Sequence, residues 1–383
     1  MLKKGRIDIW LLFSTLGLTM VGVLMVYSVQ AAKGMEMIFL KRHIFWVLLG
    51  FAGMIMAMKL GLERLKTMAY LFFGLSLVLL TLVFVPGLGV KINGARRWIE
   101  LGAFRFQPYE MVKLCLIIAL ARFLYETENK GWTLGRFYKP LGVVLFVQAL
   151  LVLQPDFGGA MLLGLIVLMV LFAAGAPLRY FLPVVLGVLS LSVVLILKAP
   201  YRLERITGFL DPWKDPRGEG FQLIQSLVAL GRGGLTGVGI GNSQQKLQFL
   251  PEVRTDFIFS IIGEEMGFVG AFVVVSLFVL FLWRGYRIMS SCSGAFCRYL
   301  TFGVVTTIVL QAVLNMAVVS GLVPTKGLPL PFISYGGSAM VMNLTAVGIV
   351  LAVSRGEEGT VYADKERFLK SIARRRLRRE GLI

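Results

Sequence analysis

Apolar stretches recur along this chain with the length of a bilayer crossing. They fall at roughly 9–29, 44–60, 69–87, 108–125, 137–153, 158–175, 180–198, 257–283, 299–320 and 338–354. A helix rises about 1.5 Å per residue, so about 20 apolar residues cover a hydrocarbon core of ~30 Å. The pattern predicts an all-α polytopic membrane protein of about ten transmembrane helices. An even number of crossings puts both termini on one side. The first run follows Lys3, Lys4 and Arg6. It is too long for the apolar core of a signal peptide and other spans follow it, so it reads as a retained helix.

The polar connections set the orientation. Arg64 and Lys66, the segment Lys130 to Lys139, Arg179 and the segment Arg284 to Arg298 all fall on the side of the termini. So does the tail sequence Arg374-Arg375-Arg376-Leu377-Arg378-Arg379. Short basic loops stay in the cytoplasm, which makes both termini cytoplasmic. Three regions result: a membrane domain over 1–355, a long extracytoplasmic loop at about 199–256 between helices 7 and 8, and a basic cytoplasmic tail over 356–383. Phe368, Ile372 and Leu377 could give that tail an amphipathic helix lying on the inner leaflet. A long loop in a compact membrane protein is usually functional.

Composition agrees with a membrane class and narrows the chemistry. The chain is 57% hydrophobic with a mean hydropathy of +0.79, well above soluble domains at about 45–50% apolar. On such a chain a net charge of +19 matches anionic lipid headgroups rather than nucleic acid. Cys115, Cys292 and Cys297 have no zinc-type spacing. His43 is the single histidine, which excludes His-pair metal sites. Acid–base work therefore falls to carboxylates, lysines or tyrosines. The glycine run Gly231 to Gly241 lacks the GxxxxGK[ST] order of a phosphate-binding loop.

Polar motifs cluster at the predicted outer side. LPEVRTDFIFSIIGEE, Leu250 to Glu265, carries Glu252, Arg254, Asp256, Glu264 and Glu265 into an apolar segment. Charges there are costly in hydrocarbon, by roughly 2.5–3.5 kcal/mol each on insertion scales, and suggest chemistry or transport. NGARRWIE, Asn93 to Glu100, supplies Arg96 and Arg97, which suit phosphate or lipid headgroups equally. In QPYEMVKL, Pro108 suits the first turn of a helix, with Glu110 and Lys113 on one face. That pair is either a helix-start carboxylate with a snorkelling lysine or the lining of an outward cavity. Asp156 in QPDFG caps the next helix or joins that cavity. Arg202, Arg205, Lys246 and Arg254 are able to gather round an anion or to be solvated singly. VPTKGLPLPFISYGGS, Val323 to Ser338, holds irregular backbone that membrane depth tolerates only against protein or a cavity.

Together these stretches, with FLDPWKDPRGEGFQ and GIGNSQQK, resemble the shape, elongation, division and sporulation (SEDS) family, whose members include FtsW and RodA. The motifs run in the family's order from Asn93 to Ser338. The run Pro324-Thr325-Lys326-Gly327 looks most like the FtsW division branch. Arg254 departs from the pattern, since many members have His before Thr-Asp.

The resemblance implies a peptidoglycan glycosyltransferase that polymerises lipid II into glycan strands for septal cell-wall synthesis. It implies partners as well: undecaprenyl-diphosphate-linked glycan, a class B penicillin-binding protein that crosslinks the product, and division proteins. It implies Asp256 as the catalytic carboxylate. The chemistry is consistent: a base takes the proton of the acceptor GlcNAc 4-OH, and cations stabilise the leaving diphosphate. Attack from the face opposite the leaving group inverts an α-linked diphosphate into a β-linkage. Glu110, Lys113 and Asp156 would orient donor or acceptor; Arg96, Arg97, Arg205 and Lys246 would contact diphosphate or sugar. A divalent cation, Mg²⁺ or Mn²⁺, could assist at the diphosphate, though no ligand motif calls for one. A lipid II flippase and a division scaffold are the competing readings.

Overall fold

A computed structural model describes residues 7–32, 38–92, 94–102, 104–197, 208–218, 220–246, 254–324 and 327–356. Ten helices follow the ten apolar runs: α1 (Ile9–Ala32), α2 (Ile38–Leu60), α3 (Leu62–Leu82), α4 (Pro108–Thr127), α5 (Leu134–Leu153), α6 (Phe157–Ala173) and α7 (Leu178–Leu197). After an extra short helix, α8 (Phe221–Gly233), come α9 (Ile258–Ser291), α10 (Ala295–Val319) and α11 (Gly337–Ser354). Seven of these are long and apolar enough to cross a membrane, and α6 and part of α7 form shorter apolar helices. The protein is a multi-pass membrane protein.

The exception in composition is α4. It carries Glu110, Lys113, Arg122 and Glu126, yet most of its length is buried. It packs against α3, α10 and α11, which gives it the central place in the bundle. Glu110 and Lys113 are buried inside the bundle, while Arg122 and Glu126 pair with each other nearer the surface at its other end.

The helical bundle expected from the apolar pattern carries one small addition. Residues between α3 and α4 form an antiparallel sheet in the order β1 (Gly89–Ile92), β2 (Ala95–Leu101), β3 (Phe104–Phe106). Val90 pairs with Trp98, and Glu100 with Arg105. Strand alternation then sends Arg96 to the exposed face and Arg97 toward the bundle beside buried Ala95 and Ile99.

Polar contacts tie the helix ends into two layers. At one end, the Gln107 N–H donates to Ser338 Oγ at 3.0 Å, and Ser226 Oγ of α8 donates to the Val319 carbonyl at 2.8 Å. At the other end, Asp8 caps α1 through the Leu11 N–H at 2.9 Å and pairs with Arg284 of α9. The Asp8 N–H reaches Ser354 Oγ at 3.1 Å. Helix α9 kinks at Gly267, whose φ of 66° and ψ of −164° leave the helical region. Gly237 and Leu235 of the loop after α8 press against that kink, so a side chain at position 267 would collide with their backbone.

Candidate active site

Asp256 sits one turn ahead of α9, half-buried, at the end of the bundle that carries the sheet. Its backbone is fixed from α10. Asn315 Nδ2 donates to the Asp256 carbonyl and to the Leu328 carbonyl, each at 2.7 Å. The segment 327–336 wraps the same turn. The Tyr335 N–H donates to the Arg254 carbonyl at 2.8 Å. Ser334 Oγ donates to the Thr255 carbonyl and accepts the Leu330 N–H at 2.8 Å. A Cβ at Gly327 would lie 3.0 Å from Asp256 Oδ2, so glycine there leaves the carboxylate room.

The loop behind the carboxylate is held rigidly by packing. Phe332 adopts φ 65°, a left-handed conformation that costs a non-glycine residue on the order of 1–3 kcal/mol. Its ring is 1% exposed and lies 6.0 Å from Phe281. Burial of the ring offsets the strained backbone.

Glu110 and Lys113 form a buried pair deeper in the bundle. Each side chain is 3% exposed, and Lys113 Nζ lies 2.8 Å from Glu110 Oε2. The directed hydrogen bond from Lys113 goes instead to Gln311 Oε1 at 2.8 Å. Gln311 Nε2 continues to the Pro329 carbonyl at 2.8 Å. Gln311 and Asn315 are one helical turn apart on α10. Two amide side chains thus connect the ion pair, the 327–334 loop and the Asp256 backbone in one ladder. A cavity beside the pair is lined by Thr307, Asn343 and apolar groups of α4, α10 and α11.

Arg97 and Asp156 meet at the same end. Arg97 Nε donates to the Gln154 carbonyl at 3.2 Å, and Nη2 donates to the Pro155 carbonyl. These carbonyls end α5, where backbone acceptors lack helical partners. Arg97 Nη1 lies 3.7 Å from Asp156 Oδ1. Asp156 caps α6 by accepting the Gly159 N–H at 3.1 Å. Burial raises the Asp156 pKa, and the Arg97 charge opposes that rise. A Cβ at Gly158, two residues on, would lie 3.6 Å from Leu328 of the loop against Asp256.

Two of the expected substrate contacts lie elsewhere. Arg96 is exposed on the far face of β2. Lys246 is fully buried and ion-paired with Glu265 of α9 at 2.5 Å. Ser28 of α1 donates to both Glu265 oxygens, at 2.8 and 2.7 Å, and accepts from Lys246 Nζ at 3.0 Å. Glu264 beside it accepts from Ser243 Oγ and from the Gln244 N–H at 3.1 Å. This cluster clamps the 231–246 loop onto the α9 kink, and among the described residues Lys246 is buried within it. It also accounts for the two intramembrane glutamates. Arg205 and Lys326 lie outside the described residues.

Sequence reading missed Gln311 and Asn315, which sit inside an apolar run and look like tolerated polar positions. Their spacing of four residues below a proline-rich loop was the available signal. Among the described residues no three His, Cys, Asp or Glu side chains gather as a metal-binding group.

Known proteins supply the wider frame for this geometry. A family model described as a cell cycle protein, of FtsW, RodA and SpoVE, matches residues 7–359. The chain belongs to that family. It is 42% identical to Stage V sporulation protein E of Bacillus subtilis, covering 92% of this chain and 98% of that protein. It is also 42% identical to the probable peptidoglycan glycosyltransferase FtsW of Geobacter metallireducens, covering 93% of this chain and 96% of the relative. Among solved structures, a chain from a peptidoglycan synthase complex that coordinates polymerization and crosslinking is 33% identical, with a TM-score of 0.78. That match covers 92% of this chain and 99% of the other. The rod shape determining protein RodA of Thermus thermophilus is 31% identical with a TM-score of 0.69, covering 92% and 98%.

Proposed function

We infer that this protein is a peptidoglycan glycosyltransferase that polymerises lipid II, with Asp256 as general base. Family membership and near full-length similarity to a probable peptidoglycan glycosyltransferase support the activity. The observation that carries the assignment of Asp256 is its setting. A half-buried carboxylate stands against Gly327, its own carbonyl anchored by Asn315 and its flanking carbonyls by Ser334 and Tyr335. A base held this firmly needs no reorganisation when the acceptor hydroxyl arrives.

In this reading the Asp256 end faces out of the cytoplasmic membrane and both termini face in. The acceptor 4-OH gives its proton to Asp256 as its oxygen attacks the anomeric carbon of the donor. The bond to the diphosphate breaks, and the electron pair leaves with it. Glu110, Lys113 and Asp156 shape the wall behind the reacting sugars, and Arg97 holds Asp156 in place. The membrane domain spans 1–355; the basic tail, 356–383, lies outside the described residues beyond Gly356. A Mg²⁺ or Mn²⁺ ion would add positive charge at the diphosphate. A class B penicillin-binding protein receives the strands, in keeping with the similar synthase complex, and the septum is the place of action.

The test is reconstituted full-length protein supplied with lipid II, with and without a class B penicillin-binding protein. Glycan ladders on a gel support the reading. Leaflet exchange of lipid II without polymer would make the protein a flippase, and neither outcome would leave a scaffold.

A further inference from the structure

We propose that the facing starts of α5 and α7 form a binding site for a phospholipid with two phosphates, a diphosphatidylglycerol, at the end of the bundle opposite Asp256. The site is separate from the chemistry above and stands whether or not the enzyme reading does.

Two spans open on one pattern. Arg136-Phe137-Tyr138-Lys139-Pro140 lies at the start of α5, and Arg179-Tyr180-Phe181-Leu182-Pro183 at the start of α7. Each reads Arg, two aromatic residues, a fourth residue and Pro. The fold sets the two copies against each other. The Phe137 ring, 0% exposed, lies 5.5 Å from the Tyr180 ring and 4.9 Å from the Phe181 ring. Each arginine is therefore next in sequence to a ring of one shared stack. Arg179 keeps its guanidinium over Tyr180 at 5.2 Å, and its Nη2 donates to the Tyr180 hydroxyl at 3.4 Å. Arg136 Nη1 donates to the Lys130 and Gly131 carbonyls. That loop is fixed in turn, because Trp132 Nε1 donates to the Ala174 carbonyl just past α6 at 3.3 Å.

The charge here is one-sided. From Asn129 to Leu197 the sequence holds four cations, Lys130, Arg136, Lys139 and Arg179, and one carboxylate, Asp156. The cations all lie at this end; Asp156 lies at the other, beside Arg97. The nearest carboxylates in sequence are already engaged, Glu126 with Arg122 at 2.7 Å and Glu128 with Arg298 at 3.7 Å. Among the described residues none of the four cations forms an ion pair. Lys130, Lys139 and Arg179 are exposed, and Arg136 is half-buried. Like charges gathered without counter-charge repel one another, so the corner favours an anion. In the orientation proposed above this end meets the cytoplasmic leaflet, where anionic lipids supply that charge and basic pockets between spans take their headgroups. Guanidinium forks match phosphate oxygens in pairs. Two arginines on two helices suit two phosphates joined through one glycerol. Phe172 of α6 and Leu182 of α7, 59% and 61% exposed, offer apolar surface to the acyl chains.

The test is native mass spectrometry of the full-length protein in detergent, titrated with tetraoleoyl diphosphatidylglycerol and, separately, with dioleoyl phosphatidylglycerol. The parent should retain one diphosphatidylglycerol at least about tenfold more tightly than phosphatidylglycerol. Arg136→Gln and Arg179→Gln should each weaken that binding about tenfold, and Arg179→Lys should recover part of the loss. Lys59→Gln removes an exposed charge from the same side of the bundle, at the end of α2, and should bind like the parent. Thermal melting in the same detergent shows which variants fold. Arg179→Gln and Lys139→Gln, both at exposed positions, keep the test decisive if Arg136→Gln does not. Unchanged diphosphatidylglycerol affinity in folded variants overturns the proposal. So does an equal loss in Lys59→Gln, which would mean diffuse attraction, or phosphatidylglycerol held as tightly by the parent. Polymerisation of lipid II does not enter the measurement, so failure here and failure of the enzyme reading are told apart.

Discussion

Among the described residues two buried lysine–glutamate pairs stand out, and they serve opposite ends. Lys246–Glu265 is sealed: both side chains are 0% exposed, and Ser28 bonds to both carboxylate oxygens. Glu110–Lys113 is equally buried, but a cavity lies beside it and its lysine is turned to Gln311. From Gln311 the hydrogen bonds lead to the loop behind Asp256. The first pair closes on itself and clamps a loop. The second passes its hydrogen bonding on to the turn that carries Asp256. Residue type and burial are nearly the same in the two; the connections separate a clamp from part of a site.

Substitutions can break that comparison. The largest contrast is expected from removing one partner of each pair, which strands a charge and costs roughly 3–5 kcal/mol in stability. Lys246→Met and Lys113→Met should both melt at lower temperature. Replacing both partners with apolar residues often restores stability. Lys246→Met with Glu265→Leu should then polymerise lipid II within about threefold of the parent per folded molecule, an activation difference below about 1 kcal/mol. Lys113→Met with Glu110→Leu should regain stability and stay about 100-fold slow, close to 3 kcal/mol of lost transition-state stabilisation. Equal recovery of activity in the two double variants would erase the distinction.

A smaller effect is expected one step along the ladder. Asn315→Ala frees the Asp256 and Leu328 carbonyls and should lower kcat about tenfold with little change in KM, because the substrate does not touch Asn315. A rise in KM alone would place Asn315 against substrate instead.

The smallest effect concerns Asp156. Its folded-state pKa is raised, so the buried carboxyl binds its proton more tightly than in the unfolded chain. Stability is therefore lost as pH rises from the ordinary carboxylate range through the raised value. Asp156→Asn keeps a capping oxygen and cannot ionise. Relative to the parent it should gain melting temperature as pH rises above the ordinary carboxylate range, by at most a few degrees. An identical pH dependence in both proteins would show that burial of this group is unimportant.

The sequence was most legible where its physics is local. Spans longer than about 18 apolar residues announce themselves. Even α4 was legible, because Pro108 and Glu110 mark a helix start whatever surrounds it. The sheet was overlooked although Asn93-Gly94 stands between GVKI and ARRWIEL, a hairpin signature. Arg96 and Arg97 are neighbours in sequence, but strand alternation sends them to opposite faces. Lys246 could not be placed from sequence. Its partners, Ser28 and Glu265, meet it only after the loop folds back over the α9 kink.

The most direct measurement is polymerisation of lipid II by purified Asp256→Asn protein, followed beside undecaprenyl diphosphate binding by the same sample. The account predicts intact binding and a rate at least about 10³-fold below the parent, the upper part of what a positioned base contributes. Glycan strands formed at the parent's rate by that variant would contradict it.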